Sequence, residues 1–124
     1  MKSILEQMFQ LFKLKVRDMA VIQATDNDFN NVLNSNQNVV VKYYADWCGS
    51  CRLFAPKFKR LSDDEAFANV AFVDVNAENS PEARKVAGVT NLPFFAIFKG
   101  GKLVDTVAAS KEEAVRDLIN KLTA

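Results

Sequence analysis

The chain contains no histidine and only 2 cysteines in 124 residues. The first absence removes Cys-His nucleophile pairs and every zinc site that needs imidazole. The second removes a four-thiolate metal site within one chain. A metal or iron–sulfur cluster shared between two chains is the form of metal site that stays open. An excess of one charge is missing too. The balance is 16 basic against 15 acidic residues, net +1. Without a basic cluster there is no electrostatic footprint for nucleic acid. Glycine (4) and proline (3) are scarce, and repeats and low-complexity stretches are absent. What remains is ordinary for a soluble globular protein: 49% hydrophobic and 25% charged residues. The length fits one domain and suffices for a core without covalent staples.

The two cysteines sit together in Trp47-Cys48-Gly49-Ser50-Cys51. They follow the apolar run Val39-Val40-Val41-Lys42-Tyr43-Tyr44-Ala45 and precede a helical pattern. A strand that turns tightly into a helix places the first cysteine at the helix N-terminus. There the free backbone N–H groups and the positive end of the dipole favour a thiolate. A free thiol titrates near about 8.5, and such sites bring it to roughly 3.5–7.5. The dipole supplies about 0.3–1 kcal/mol. At about 1.36 kcal/mol per unit, this is on the order of one pKa unit. Cys48 is therefore the candidate nucleophile. Cys51, about one turn further in, is the candidate resolving thiol that expels the reduced product. A purely structural bridge is the weaker reading, because it closes only a tiny loop and gains little from closure.

Around this motif strands and helices alternate. Met19–Ala24 reads as a strand. Thr25 caps a helix reaching about Asn34, with Asp28 completing a capping box. Val39–Ala45 is β-branched and aromatic with apolar residues on both faces, hence central. The helix after Cys48 carries Leu53, Phe54, Phe58 and Leu61, and Pro56 should kink it. Val70–Val75 is a buried strand, and Ser80-Pro81-Glu82 opens a helix with Ser80 as its cap. Phe94–Lys99 and Lys102–Val107 form a hairpin over Gly100-Gly101. Ser110 and Glu113 cap a last helix with Ala114, Val115, Leu118, Ile119 and Leu122 on its apolar face. The expected class is α/β, a mixed central sheet of about five strands with helices on both faces. That domain spans 19–124. Residues 1–18 precede it as an amphipathic helical extension, with Ile4, Leu5, Met8, Phe9, Phe12 and Val16 at helical spacing. Glu6, Gln7 and Gln10 interrupt what a secretory signal would keep apolar, and the segment is too short and polar to span a bilayer. It is expected to dock on the domain or on a second copy, giving a monomer or a weak dimer. Membrane-surface contact through its Phe/Leu face is the sharper alternative.

From about Met19 onward the chain resembles the thioredoxin family. The residues that carry the likeness are Trp47-Cys48-Gly49-x-Cys51, Ala45-Asp46 before the tryptophan, and Pro56 five residues after the second cysteine. Leu92-Pro93 ahead of a strand and the hairpin Phe98-Lys99-Gly100-Gly101-Lys102 also match. The resemblance implies the thioredoxin fold and a cytoplasmic thiol–disulfide oxidoreductase that reduces protein disulfides. It implies recharging by a thioredoxin reductase, with no cofactor beyond the redox-active Cys48–Cys51 pair. It also implies a cis Leu92-Pro93 bond and docking of an extended substrate segment on Asn91, Leu92 and Pro93. Trp47 would lie over the turn as an apolar lid and contact surface, the alternative being a core tryptophan. Gly49 would let a partner backbone approach. An oxidase or isomerase remains an alternative. So does an interaction module that docks through residues 1–18.

The sequence departs from the family pattern at four positions. Ser50 stands where the family usually has proline, bringing an N–H and a hydroxyl near the Cys48 sulfur. Both would favour the reduced form and make the couple less reducing. Lys42 stands where the family has a buried aspartate that assists proton transfer at the second cysteine. As a neutral amine Lys42 could accept the Cys51 proton; as a cation it would favour both thiolates. Alternatively it snorkels outward or pairs with Asp74 and stays outside the chemistry. The family's partner lysine for that aspartate falls at Phe72. Ala108 replaces a glycine near the docking groove, where its methyl would restrict partners.

Overall fold

The computed structural model describes residues 4, 5 and 21–123. Apart from Ile4 and Leu5, the expected 1–18 helix lies outside the described residues, as do the first two residues of the expected Met19–Ala24 strand. Five strands are described: β1 (Val21–Ala24), β2 (Asn38–Tyr44), β3 (Ala71–Asn76), β4 (Phe94–Lys99) and β5 (Lys102–Val107). The helices are α1 (Phe29–Ser35), α2 (Gly49–Asp63), α3 (Pro81–Ala87) and α4 (Glu112–Thr123), with a 3-10 turn at Glu65–Phe67. The sheet order is β1-β3-β2-β4-β5. β1, β3 and β2 run parallel, while β4 is antiparallel to β2 and β5 to β4.

β2 is the middle strand, and Val39 through Tyr43 are all buried. Strand alternation sends Val39, Val41 and Tyr43 to one face, where they pack with Phe29, Leu33, Ala83 and Ala87 of α1 and α3. Val40 faces the other side, with Phe72, Phe95 and Ile97 under Phe54, Phe58 and Leu61 of α2 and Val115, Leu118 and Ile119 of α4. Lys42 has the same parity as Val40 and so lies on the α2 side. The expected mixed sheet covered on both faces is what the chain builds.

The first helix is regular from Phe29, and the expected capping bond stands ahead of it: the Asp28 carboxylate accepts the Thr25 N–H at 2.7 Å, and the Thr25 hydroxyl accepts the Asn27 N–H at 3.3 Å. Pro56 lies inside α2, as expected. Other local expectations are corrected. Leu53 does not join the buried stripe. It is 75% exposed, because Cys51, Phe54, Phe58 and Leu61 already define the inward face at helical spacing. Ser80 is the N-cap residue of α3, yet its hydroxyl makes no cap bond. Asp26 from the β1–α1 turn does that instead, accepting from Glu82 N at 3.1 Å and Ala83 N at 2.8 Å. The last helix begins at Glu112 with no capping bond between Ser110 and Glu113 among the described residues. Gly88 ends α3 in the left-handed region at φ 65°, which suits a residue without Cβ.

Candidate active site

β2 delivers the chain to the end of the sheet, and Ala45 to Trp47 turn it into α2. Cys48 is the N-cap residue of α2. Its Sγ accepts the Cys51 backbone N–H at 3.2 Å, one of the four donors a helix start leaves unpaired. The Ser50 hydroxyl lies 3.5 Å from the same sulfur. Cys48 and Cys51 are disulfide-bonded, with Cα atoms 5.2 Å apart. The pair thus opens a helix, as the spacing and context indicated.

Cys48 is 5% exposed and Cys51 3%. Cys48 is more covered than a freely reachable nucleophile. The bond turns each sulfur toward the other, and Ala45, Tyr44 and Leu92 pack around them. The rim above is open, with Trp47 68% exposed and Gly49 and Ser50 exposed. Trp47 is therefore not a core residue. Its Nε1–H donates to Glu78 Oε1 at the start of the loop before α3, which fixes the indole beside the pair. A Cβ added at Gly49 would meet open space, so the fold itself does not need glycine there.

The Leu92-Pro93 peptide bond is cis. Leu92 packs on the cysteine cluster, Pro93 is buried and Asn91 is exposed. The loop before β4 therefore stands next to the disulfide. Ala108 is exposed just past β5. The β4–β5 ladder ends at Phe95 with Val107, so Ala108 leaves the sheet at the end where Leu92-Pro93 enters it.

Lys42 is buried, and the strand register pairs it with Asp74. Lys42 Nζ lies 3.3 Å from Asp74 Oδ1, and Gln23 donates to Asp74 Oδ2 at 3.0 Å. Lys42 does not snorkel outward. Phe72 is not its counterpart: that residue pairs with Val40 and Val21. The position across from Lys42 is held by Asp74, so the chain keeps a lysine–carboxylate pair with the signs exchanged between strands. A cavity of about 200 Å³ is lined by Lys42, Asp74 and Cys51 together with Tyr44, Asp46 and Arg52. Burial, with Asp74 and Asp46 nearby, pushes the Tyr44 phenol above its ordinary range. The Lys42–Asp74 pairing is the alternative the sequence offered for Lys42. Glu78 is not among the expected site residues, and no local signal marks it.

A cysteine pair that opens a helix after the central strand, beside a cis-proline loop and under an exposed tryptophan, defines a thiol–disulfide exchange protein. The thioredoxin family model matches residues 20–122. Thioredoxin 1 of Plasmodium falciparum is 28% identical over 106 residues, covering 86% of this chain and all of that one. A thioredoxin of Pyropia yezoensis is 33% identical over 105 residues, 83% of this chain and 97% of that one. Among solved structures, the Malassezia sympodialis thioredoxin superimposes with a TM-score of 0.77 at 28% identity, covering 84% of this chain and 94% of that one. Thioredoxin f2, solved with ferredoxin:thioredoxin reductase, gives 0.77 at 25% identity, with 84% and 96% covered. The chain belongs to the thioredoxin family and is a thiol–disulfide oxidoreductase acting on protein disulfides.

Proposed function

We propose that Cys48 attacks and Cys51 resolves, in a cycle that reduces protein disulfides in the cytoplasm. The observation that carries this reading is Cys48 at the α2 N-cap, with the Cys51 amide aimed at its sulfur. In the reduced protein that amide, the dipole and the Ser50 hydroxyl all favour negative charge on Cys48. The Cys48 thiolate attacks one substrate sulfur, forms a mixed disulfide and expels the other as a thiolate. Cys51 then loses its proton and attacks Cys48 Sγ. The Cys48–substrate bond breaks, and the second substrate thiolate leaves with the electron pair. Two electrons have moved to the substrate, its two thiolates take up protons from solvent, and the Cys48–Cys51 disulfide remains. A thioredoxin reductase restores the dithiol; the solved complex of such a reductase with thioredoxin f2 supports that partner class.

The docking floor is Trp47, Gly49 and Ser50 on one side and Asn91, Leu92 and Pro93 on the other. An extended substrate segment lies between them and pairs with the backbone beside Pro93. Open space at Gly49 is where its backbone approaches. Ala108 narrows the same end of the sheet. Lys42 takes part through the cavity it shares with Cys51.

The test is insulin reduction driven by dithiothreitol. Wild type accelerates it, Cys48→Ser abolishes the acceleration, and Cys51→Ser accumulates a mixed disulfide on Cys48 visible by mass spectrometry. Full activity in Cys48→Ser, or an adduct on Cys51 in wild type, would refute the assignment.

A further inference from the structure

The Lys42–Asp74 pair differs from every other described ion pair. Its side chains are 4% and 14% exposed, whereas each of the others has a partner at least 42% exposed. A buried ammonium is costly unless it is held on all sides. Here Asp74 lies on one side, and the Phe58 and Tyr44 ring centres lie 5.1 Å and 5.7 Å from Nζ, within cation–π range. Phe58 sits two turns beyond Cys51 on the same inward stripe of α2, so Lys42 lies beneath the helix face that carries the second cysteine. The cavity that joins them gives that thiol's proton a way out.

The ionisable groups facing the cavity are Lys42 and Tyr44 from β2, Asp46 from the following turn, Cys51 and Arg52 from α2, and Asp74 from β3. Tyr44 stays neutral where thiols titrate, because its phenol is pushed up. Asp46 and Arg52 are exposed, so solvent screens them. The buried pair therefore dominates the field at Cys51. Carboxylates are weaker bases than thiolates by more than about four pKa units. A neighbouring cation is thus a more effective way to generate the attacking thiolate than a carboxylate acting as base.

We infer that Lys42 and Asp74 form a charge-reversed positioning pair for the release step: the Lys42 ammonium favours the Cys51 thiolate, and Asp74 fixes and moderates that cation. This rests on Cys51 being the resolving thiol. During release the Cys51 proton passes to solvent in the cavity and the Cys51–Cys48 bond forms. The Cys48–substrate bond breaks, and the electron pair leaves on the substrate sulfur.

The experiment titrates Cys51 alone, by thiolate absorbance in a Cys48→Ser background. It needs no substrate, so its outcome is separate from whether the chain reduces insulin. Lys42→Met should raise the Cys51 pKa by about one unit, the low end of the effect of an adjacent opposite charge. Lys42→Arg should leave it in place, and Asp74→Asn should lower it. Opposite shifts are the signature, since a merely structural pair would move both variants alike or neither. With Cys48 restored, Lys42→Met should slow mixed-disulfide resolution at neutral pH about threefold. The thiolate fraction falls about tenfold, and the stronger nucleophile recovers part of it. No shift or a downward shift in Lys42→Met overturns the inference. If that variant does not fold, Asp74→Asn in the Lys42→Arg chain decides. There the cation cannot lose its proton, so an unchanged or raised Cys51 pKa overturns it.

Discussion

Ser50→Pro should make the Cys48–Cys51 couple more reducing. Ser50 is the second residue of α2, so its amide is one of the donors the helix does not use, and proline is tolerated there. No helical hydrogen bond is lost. What disappears is the hydroxyl 3.5 Å from Cys48 Sγ. A hydrogen bond to a charged group contributes about 1.5–3 kcal/mol, but this contact is long and Ser50 is exposed, so about 1 kcal/mol is the working figure. The hydroxyl acts mainly on the thiolate, hence on the reduced form. Its removal destabilises the dithiol relative to the disulfide. For a two-electron couple about 1.4 kcal/mol corresponds to about 30 mV, so the potential should fall by about 20 mV. Ser50→Ala, which keeps the N–H and loses the hydroxyl, should reproduce most of the fall. Equilibration against glutathione, with the oxidised fraction read by mass, measures both. An unchanged or less negative potential in both variants would refute the reasoning.

Two further outcomes follow from the caps and from the ion pairs. Asp26→Ala removes both carboxylate bonds at the α3 N-terminus and should cost about 1–2 kcal/mol in urea unfolding, whereas Ser80→Ala, which removes a buried hydroxyl with no partner among the described residues, should cost under about 0.5 kcal/mol. Asp64 is held below the ordinary carboxylate range, first by the Ala66 amide and then by Arg116; Asp105 is held low by Lys121 and then by the Thr106 amide. A depressed folded-state pKa gives stability that is present above the unfolded value of about 3.9 and lost as pH falls through the folded one. Urea midpoints should therefore drop below about pH 4, and Arg116→Met should flatten part of that drop while leaving its shape above pH 5 unchanged.

The features legible in the sequence were those with a local signature. Cys48 at a strand-to-helix junction, the Gly100-Gly101 hairpin and the continuous apolar face of β2 each declare themselves within about ten residues. Most of the misreadings depend on residues far apart in the chain. Asp26 displaces Ser80 as the effective cap by accepting the N–H of Glu82, 56 residues on in the chain. Glu78 holds Trp47 across 31 residues. The Lys42–Asp74 pair also spans two strands, but the sequence already offers it as an alternative, and the register brings it about. Leu53 looked like core because it is apolar and adjacent to Phe54, but neighbours in a helix point about 100° apart.

The exchange chemistry turns on which sulfur is ionised and reachable in the reduced chain. Iodoacetamide alkylation across pH 5–10, with the modified cysteine located by mass spectrometry, reads both properties at once. Cys48 should be modified first, with an apparent pKa about one unit or more below the free-thiol value of about 8.5, and Cys51 should stay protected. Preferential alkylation of Cys51, or a Cys48 that titrates at or above the free-thiol value, would rule out Cys48 as the attacking thiolate.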